Sequence, residues 1–170
     1  MKKLLLINLV SALCLSSTFS QSIIKITGTA DILSVKHQVA LSLNYLDIHE
    51  PVRMHIAFTE QMPEIIKGLT QYISLSDSTR LLRIRIDSRL DETQRLNVLA
   101  HEMMHVRQYL SGDLIIFDGK MVWRGSKYSF VHRDPRKLPW EVEAHRYDQY
   151  LAKVLRDIPG ERLLASEIEK

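Results

Sequence analysis

Apolar residues recur along this chain with two periods, and each period predicts a different kind of element. Ile32, Val35, Val39, Leu43 and Leu46 repeat at three- and four-residue spacing, which predicts an amphipathic helix over residues 31–46 that packs on a sheet. The same spacing returns in Leu96, Leu99, Met103, Val106 and Leu110 and predicts a helix over residues 96–109 with one buried side. Both ends of that helix are marked. Asp91 followed by Gln94 resembles a capping box, and Ser111-Gly112 offers a glycine for the left-handed turn that closes a helix. A third helix begins at Leu138-Pro139-Trp140, where proline suits the first helical position, and runs to about Asp157. Trp140, Ala144, Tyr147, Leu151 and Val154 form its buried stripe. Ile158-Pro159-Gly160 ends it, leaving residues 161–170 as a charged tail.

Alternation with a period of two marks strands. Residues 52–58, 71–75 and 81–87 have this character, clearest where Leu82, Ile84 and Ile86 alternate with Arg83, Arg85 and Asp87. Gly68 and the run from Ser76 to Ser78 are read as the turns between them. Beyond Gly112, residues 114–117, the pair Asp118-Gly119 and residues 121–130 read as a hairpin carrying Trp123 and Tyr128. The order is helix, three strands, helix, hairpin, helix, an α+β chain.

Composition and charge then narrow the setting. Residues 1–20 carry Lys2 and Lys3, an apolar run from Leu4 to Leu15, and small residues to Ser20. That is the pattern of a secretory signal peptide, too short for a spanning helix, with cleavage expected after Ser20. It makes the chain secreted or periplasmic, with no stable membrane insertion after signal removal. The only cysteine, Cys14, lies inside this segment behind Leu13 rather than a small residue, so a released protein is expected and not a lipid-anchored one. Losing Lys2 and Lys3 leaves 21 basic and 20 acidic residues, a balance that does not imply nucleic acid as a partner. Residues 21–170 fit one domain, expected as a monomer, large enough to bury a core without disulfides.

The chemistry concentrates in one stretch, His101-Glu102-Met103-Met104-His105. Helical residues four apart lie one turn above each other, so His101 and His105 can close on a single metal ion. Glu102 points about 100° further round, beside a metal-bound water and not on the metal. A zinc ion held by neutral imidazoles lowers the pKa of bound water towards ~7, and an adjacent carboxylate can pass its proton to a leaving amine. This is the HExxH zinc-hydrolase motif in the helical context it requires. Asn97, His101, His105 and Gln108 form the polar stripe of the same helix. In the third helix Glu141 and Glu143 flank the buried stripe on opposite sides, and periodicity alone does not choose which faces the histidines. His37, His49 and His55 are given no role. Tyr128, His132, His145 and Arg146 stay open as stabilisers of a reaction oxyanion. Residues 81–87 enter the motif helix through a short loop, so this strand is either an ordinary amphipathic strand or one that binds an extended peptide by main-chain hydrogen bonds, as strands beside zinc-peptidase sites can.

Together HEMMHVRQY, the following glycine, Trp123 and Pro139-Trp140-Glu141-Val142-Glu143-Ala144 resemble the gluzincin zinc peptidases, in particular small single-domain bacterial members. The resemblance covers about the second half of the chain. It implies a zincin-like fold, a small mixed sheet with an active-site helix and a helical lower half. It also implies Glu141 as third zinc ligand beside His101 and His105, with Ala144 at the small position that follows. His145 stands where that family carries an acidic or amide residue to orient a ligand histidine, and Asp148, one turn on, is available instead. The expectation is a zinc metallopeptidase with Zn²⁺ as cofactor, Glu102 as general base and a peptide or protein as substrate. The alternative is a non-catalytic zinc-stabilised binding module. Glu102 favours the enzyme, because a purely structural site gains nothing from a carboxylate beside an open metal position.

Overall fold

The computed structural model describes residues 22–29, 31–74, 80–117, 119–129 and 134–157. The expected signal segment with Cys14, the expected turn at Ser76 to Ser78, His132 and the tail 161–170 lie outside these residues. Among the described residues the chain is mixed α+β, with three α-helices and two sheets. The elements run β1 (Ile23–Thr27), α1 (Ile32–Tyr45), β2 (Arg53–Thr59), β3 (Gly68–Ser74), β4 (Arg80–Asp87), α2 (Glu92–Leu110), β5 (Leu114–Phe117), β6 (Lys120–Trp123), β7 (Ser126–Tyr128), a 3₁₀ turn at Pro135–Lys137 and α3 (Pro139–Asp157).

The larger sheet has the order β1-β2-β4-β3. Neighbours β1, β2 and β4 run parallel, and β3 pairs antiparallel with β4 at the edge. Strand β1 is absent from the expected elements, although Ile23, Ile24 and Ile26 are apolar enough for one; it pairs with β2 through the α1 crossover. One face of the sheet is the core. Met54, Ile56, Leu82, Ile84 and Ile86 are almost fully buried there with Val39 of α1 and Leu99, Met103 and Val106 of α2. Each such side chain contributes roughly 1.5–3 kcal/mol on leaving water, so the apolar stripe of α2 is pinned under the sheet. Its polar stripe is thereby turned towards β3 and α3.

Helix α2 keeps its expected caps. The Asp91 carboxylate accepts from Gln94 N–H at 2.8 Å while the Gln94 side chain accepts from Asp91 N–H at 3.2 Å, and Gly112 takes φ 75° after the last turn. Gln38 of α1 donates its side-chain amide to the Leu96 carbonyl, tying the two helices near the start of α2.

Three expectations change. Gly68 is not a turn residue; it opens β3, for a reason given by the site below. The connection from β2 is held in place by Asp87, whose N–H donates to the Lys67 carbonyl at 2.9 Å, and by Arg89, which donates to the Met62 carbonyl at 3.2 Å. Arg89 also pairs twice with Asp87 at 2.9 Å, and those hydrogen bonds hold the Asp87 carboxyl down at about 2. The expected hairpin is a three-stranded meander, β5-β6-β7. Residues 121–130 do not form one strand because Arg124 and Gly125 both take positive φ, 45° and 81°, the conformation of a two-residue hairpin turn. Finally, β4 is interior, with both edges paired to β2 and β3. It has no free main-chain edge to offer a peptide, and β3 is the edge strand beside the motif helix.

Candidate metal centre

Helices α2 and α3 pack against one another, and their facing polar residues form the site. The His101 and His105 Nε2 atoms lie 3.2 Å apart, His101 Nε2 is 3.2 Å from Glu141 Oε2, and His105 Nε2 is 3.5 Å from Glu141 Oε1. A tetrahedral ion with bonds of about 2.0–2.1 Å places its donors about 3.3–3.4 Å apart, and the two ring nitrogens, each facing a different oxygen of Glu141, are close to that spacing, so the three residues could hold one ion. Bare lone pairs at that separation repel, so the group suits either protons on the ring nitrogens or a metal ion between them. Burial opposes charging His101, yet the hydrogen-bonding carboxylates of Asp148 and Glu141 lift it to about 10. His105 is likewise raised against burial, chiefly by Glu141. Burial pushes Glu141 up, but the two imidazoles outweigh it and hold its carboxyl well below the usual range.

Glu143, the other carboxylate left open by periodicity, faces away. Its Oε2 accepts from Gln108 Nε2 and its Oε1 from Arg124 Nη2, each at 2.9 Å. Two residues on a helix differ by about 200° in direction, so packing that turns Glu141 to the histidines turns Glu143 to the meander.

Glu102 is 4% exposed and its Oε2 accepts from the Thr70 hydroxyl at 2.7 Å. Burial, the largest influence, raises its pKa; the histidines and Thr70 offset part of it. The room for this carboxylate comes from Gly68, where a Cβ would collide with Glu102 Oε1 and Val98 Cγ1. Gly68→Ala is expected to displace Glu102 and, as overpacking, to cost about 1–3 kcal/mol, read by thermal unfolding.

Comparison of the chain with protein-family models, curated proteins and solved structures finds no match in any of the three.

The outer partners of the two imidazoles differ. His101 Nδ1 is 3.1 Å from Asp148 Oδ2, so the carboxylate expected from position 145 comes from one turn later. His145 itself bonds Asp148 at 3.2 Å and lies tilted beside His101, ring centroids 4.6 Å apart, half exposed. Asp148, His101 and His145 form a second possible ion-holding group, in which Asp148 meets the other nitrogen of His101 and His145 is half exposed. His105 Nδ1 is held at 2.8 Å by the Gln108 side-chain oxygen. Fully buried Gln108 gives its amide hydrogens to the Trp140 carbonyl at 3.0 Å and to Glu143. Its oxygen must therefore face His105, which places the imidazole proton on Nδ1 and leaves the Nε2 lone pair towards His101 and Glu141. Gln108→Leu is expected to weaken metal binding about 10–100-fold, measured by competition with a chelator.

From the sequence Gln108 had only a place in the polar stripe, Gly68 only a turn, and Thr70 nothing, so none of the three had a role in the site. Gln108 sits three residues after His105 on one helix face, a legible signal; Thr70 and Gly68 reach the site only through strand placement. Tyr128 packs edge-on against Trp140 at 5.4 Å, a core contact, and Arg146 is exposed. Tyr109, one turn beyond His105, borders the same cleft, and burial pushes its phenol up to about 12, with the charges of Glu102 and Glu141 adding.

Proposed function

We propose that the chain is an exported zinc-dependent peptidase with a zincin-like domain over residues 21–170, similar to the gluzincins. His101, His105 and Glu141 act as zinc ligands, and Glu102 as general base. The observation that carries this reading is the grouping of His101, His105 and Glu141 with a second, buried carboxylate, Glu102, beside it and not in it. Two imidazoles and one carboxylate are the donor set of hydrolytic zinc sites that keep an open position. Zinc bound there supplies a water of lowered pKa and polarisation of the scissile carbonyl. Glu102 takes the proton, and its raised pKa suits it to hold that proton until the leaving amine accepts it. Asp148 and Gln108 keep the two imidazoles aimed. Edge strand β3 supports the choice of a peptide as substrate, because an extended chain can add to its free edge alongside the site.

The test is metal content of the purified protein together with hydrolysis of a broad peptide library. About one zinc per chain with cleavage is the expected result; zinc without cleavage would favour the non-catalytic binding module. Among the described residues no helix is long and apolar enough to cross a membrane. Export is tested separately. Mass spectrometry of protein from the native cell should find a terminus near Gln21, and an intact Met1 would overturn the secreted or periplasmic assignment.

A further inference from the structure

The larger sheet has two faces of opposite character. Its core face carries Met54, Ile56, Leu82 and Ile84 against α1 and α2, so the alternate residues of the same strands point outward. Lys25 is in register with His55, and His55 with Arg83, which sets the three side by side across β1, β2 and β4. Arg53 precedes His55 by two residues and Arg85 follows Arg83 by two, on the same side. Lys25, Arg53 and Arg83 are exposed, and Arg85 is half-buried. Among the described residues none of the four has an ion-pair partner; the paired arginines are Arg89, Arg124 and Arg136. Arg85 Nε is enclosed there with no acceptor. The four strands contain one acid, Asp87, which is buried and paired with Arg89. Residues 21–170 are nearly balanced, with 21 basic against 20 acidic residues, so positive charge is concentrated on this face. Its field is felt by His55: burial pushes the imidazole down, and the charges of Lys25 and Arg83 push it further.

We propose that this face docks the protein on an anionic bilayer, its cations meeting the phosphates of acidic lipid headgroups. The inference does not rest on the peptidase reading. Neighbouring strands lie about 4.8 Å apart and alternate residues of one strand about 6.6 Å apart. The four cations therefore spread over about 10 Å across the strands and about 13 Å along them. A planar array of headgroups can meet all four at once, whereas a linear polyanion crosses such a patch along one line. Single-stranded nucleic acid is disfavoured further, because Phe58 and Tyr72 of these strands fall on the core side and leave no such ring for a base to stack on. Ile23, in register with Arg53 and 56% exposed, adds an apolar rim that suits the headgroup boundary. Helix α2 and the candidate metal centre lie on the other side of the sheet, so docking leaves the cleft uncovered.

The experiment is co-sedimentation of the purified protein with vesicles of phosphatidylcholine alone and of phosphatidylcholine mixed with phosphatidylglycerol, at equal total lipid. Binding at least about tenfold tighter to the anionic vesicles is expected. Molar salt, which shortens the Debye length to about 3 Å, should release it. Lys25→Gln, Arg53→Gln and Arg83→Gln should each weaken binding about fivefold, and the triple variant about a hundredfold. Lys36→Gln, at an exposed cation of α1, should change nothing. All four side chains are exposed, so melting temperatures should stay at the wild-type value. Equal binding to the two kinds of vesicle, or anionic-vesicle binding that the triple variant keeps, would overturn the proposal. Binding to a single-stranded oligonucleotide or a sulfated polysaccharide, lost in the triple variant and with no binding to anionic vesicles, would also overturn it, since the face would then serve a polyanion in solution. None of these substitutions alters the candidate metal centre, so failure here leaves the peptidase reading standing.

Discussion

Glu102→Gln is expected to leave about one zinc per chain in place and to lower peptide hydrolysis by roughly three to four orders of magnitude. General acid–base catalysis contributes about 10²–10⁴-fold, and here one carboxylate both activates the water and delivers the proton. The amide is nearly isosteric and sits where Thr70 can still donate to its oxygen, so folding should be spared. It also removes a buried carboxylate whose ionisation burial already opposes. A melting temperature at or slightly above wild type should therefore accompany the lost turnover. Parallel loss of zinc would instead mean that Glu102 is a ligand. Unchanged hydrolysis would mean that another group moves the proton.

The second large effect separates ligands from bystanders. His101→Ala and His105→Ala each remove one of the two imidazoles that lie 3.2–3.5 Å from each other and from the Glu141 carboxylate, and are expected to abolish zinc binding. Glu141→Gln should weaken it strongly and lower the melting temperature of the loaded protein, because a ligand bound only to the folded state stabilises by mass action. Glu143→Gln should change zinc content little, since its carboxylate meets Gln108 and Arg124 and not the imidazoles. Loss of metal from Glu143→Gln alone would shift the ligand by two residues.

Protonation gives the same site a pH signature. His101 is raised from its ordinary value to about 10 when no metal competes, so its contribution to stability is complete below about pH 6.5 and fades as pH rises towards 10. Glu141 is lowered, so its contribution is present above its ordinary range and is lost at acid pH. The metal-free protein should accordingly melt at lower temperature as pH goes from 7 to 10. The zinc form, whose imidazoles hold metal instead of protons, should not follow. Calorimetry in buffers of different ionisation enthalpy should find protons released as zinc binds near neutral pH.

Much of this site is local and was therefore readable in the chain. The Asp91 and Gln94 cap, the apolar stripe from Leu99 to Val106 and the histidines one turn apart all follow from 3.6-residue geometry within one helix. No partner element is needed to place Glu102 beside a shared ligand position of His101 and His105. Strands β2 and β4 were equally plain, since one wet face imposes alternation on them.

What the sequence left open depends on how elements turn against one another. Periodicity placed Glu141 and Glu143 on opposite flanks of α3 but carried no information on which flank meets α2. Burial of Trp140, Ala144 and Leu151 set that rotation and brought Glu141 and Asp148 to the imidazoles. Likewise the alternation of β4 marked a half-buried strand without saying which strands flank it. Pairing β4 with both β2 and β3 closed its edges and moved the free edge to β3. Gly68, which reads locally as turn punctuation, proved to be the space that Glu102 occupies. A carboxylate and a backbone separated by more than thirty residues meet only through sheet and helix packing. The sequence alone placed the two histidines and the neighbouring carboxylate of the candidate site, because one helix holds all three. Tertiary structure decided which α3 carboxylate faces the histidines, their outer partners and which strand edge lies beside them, because each needs the relative placement of two elements.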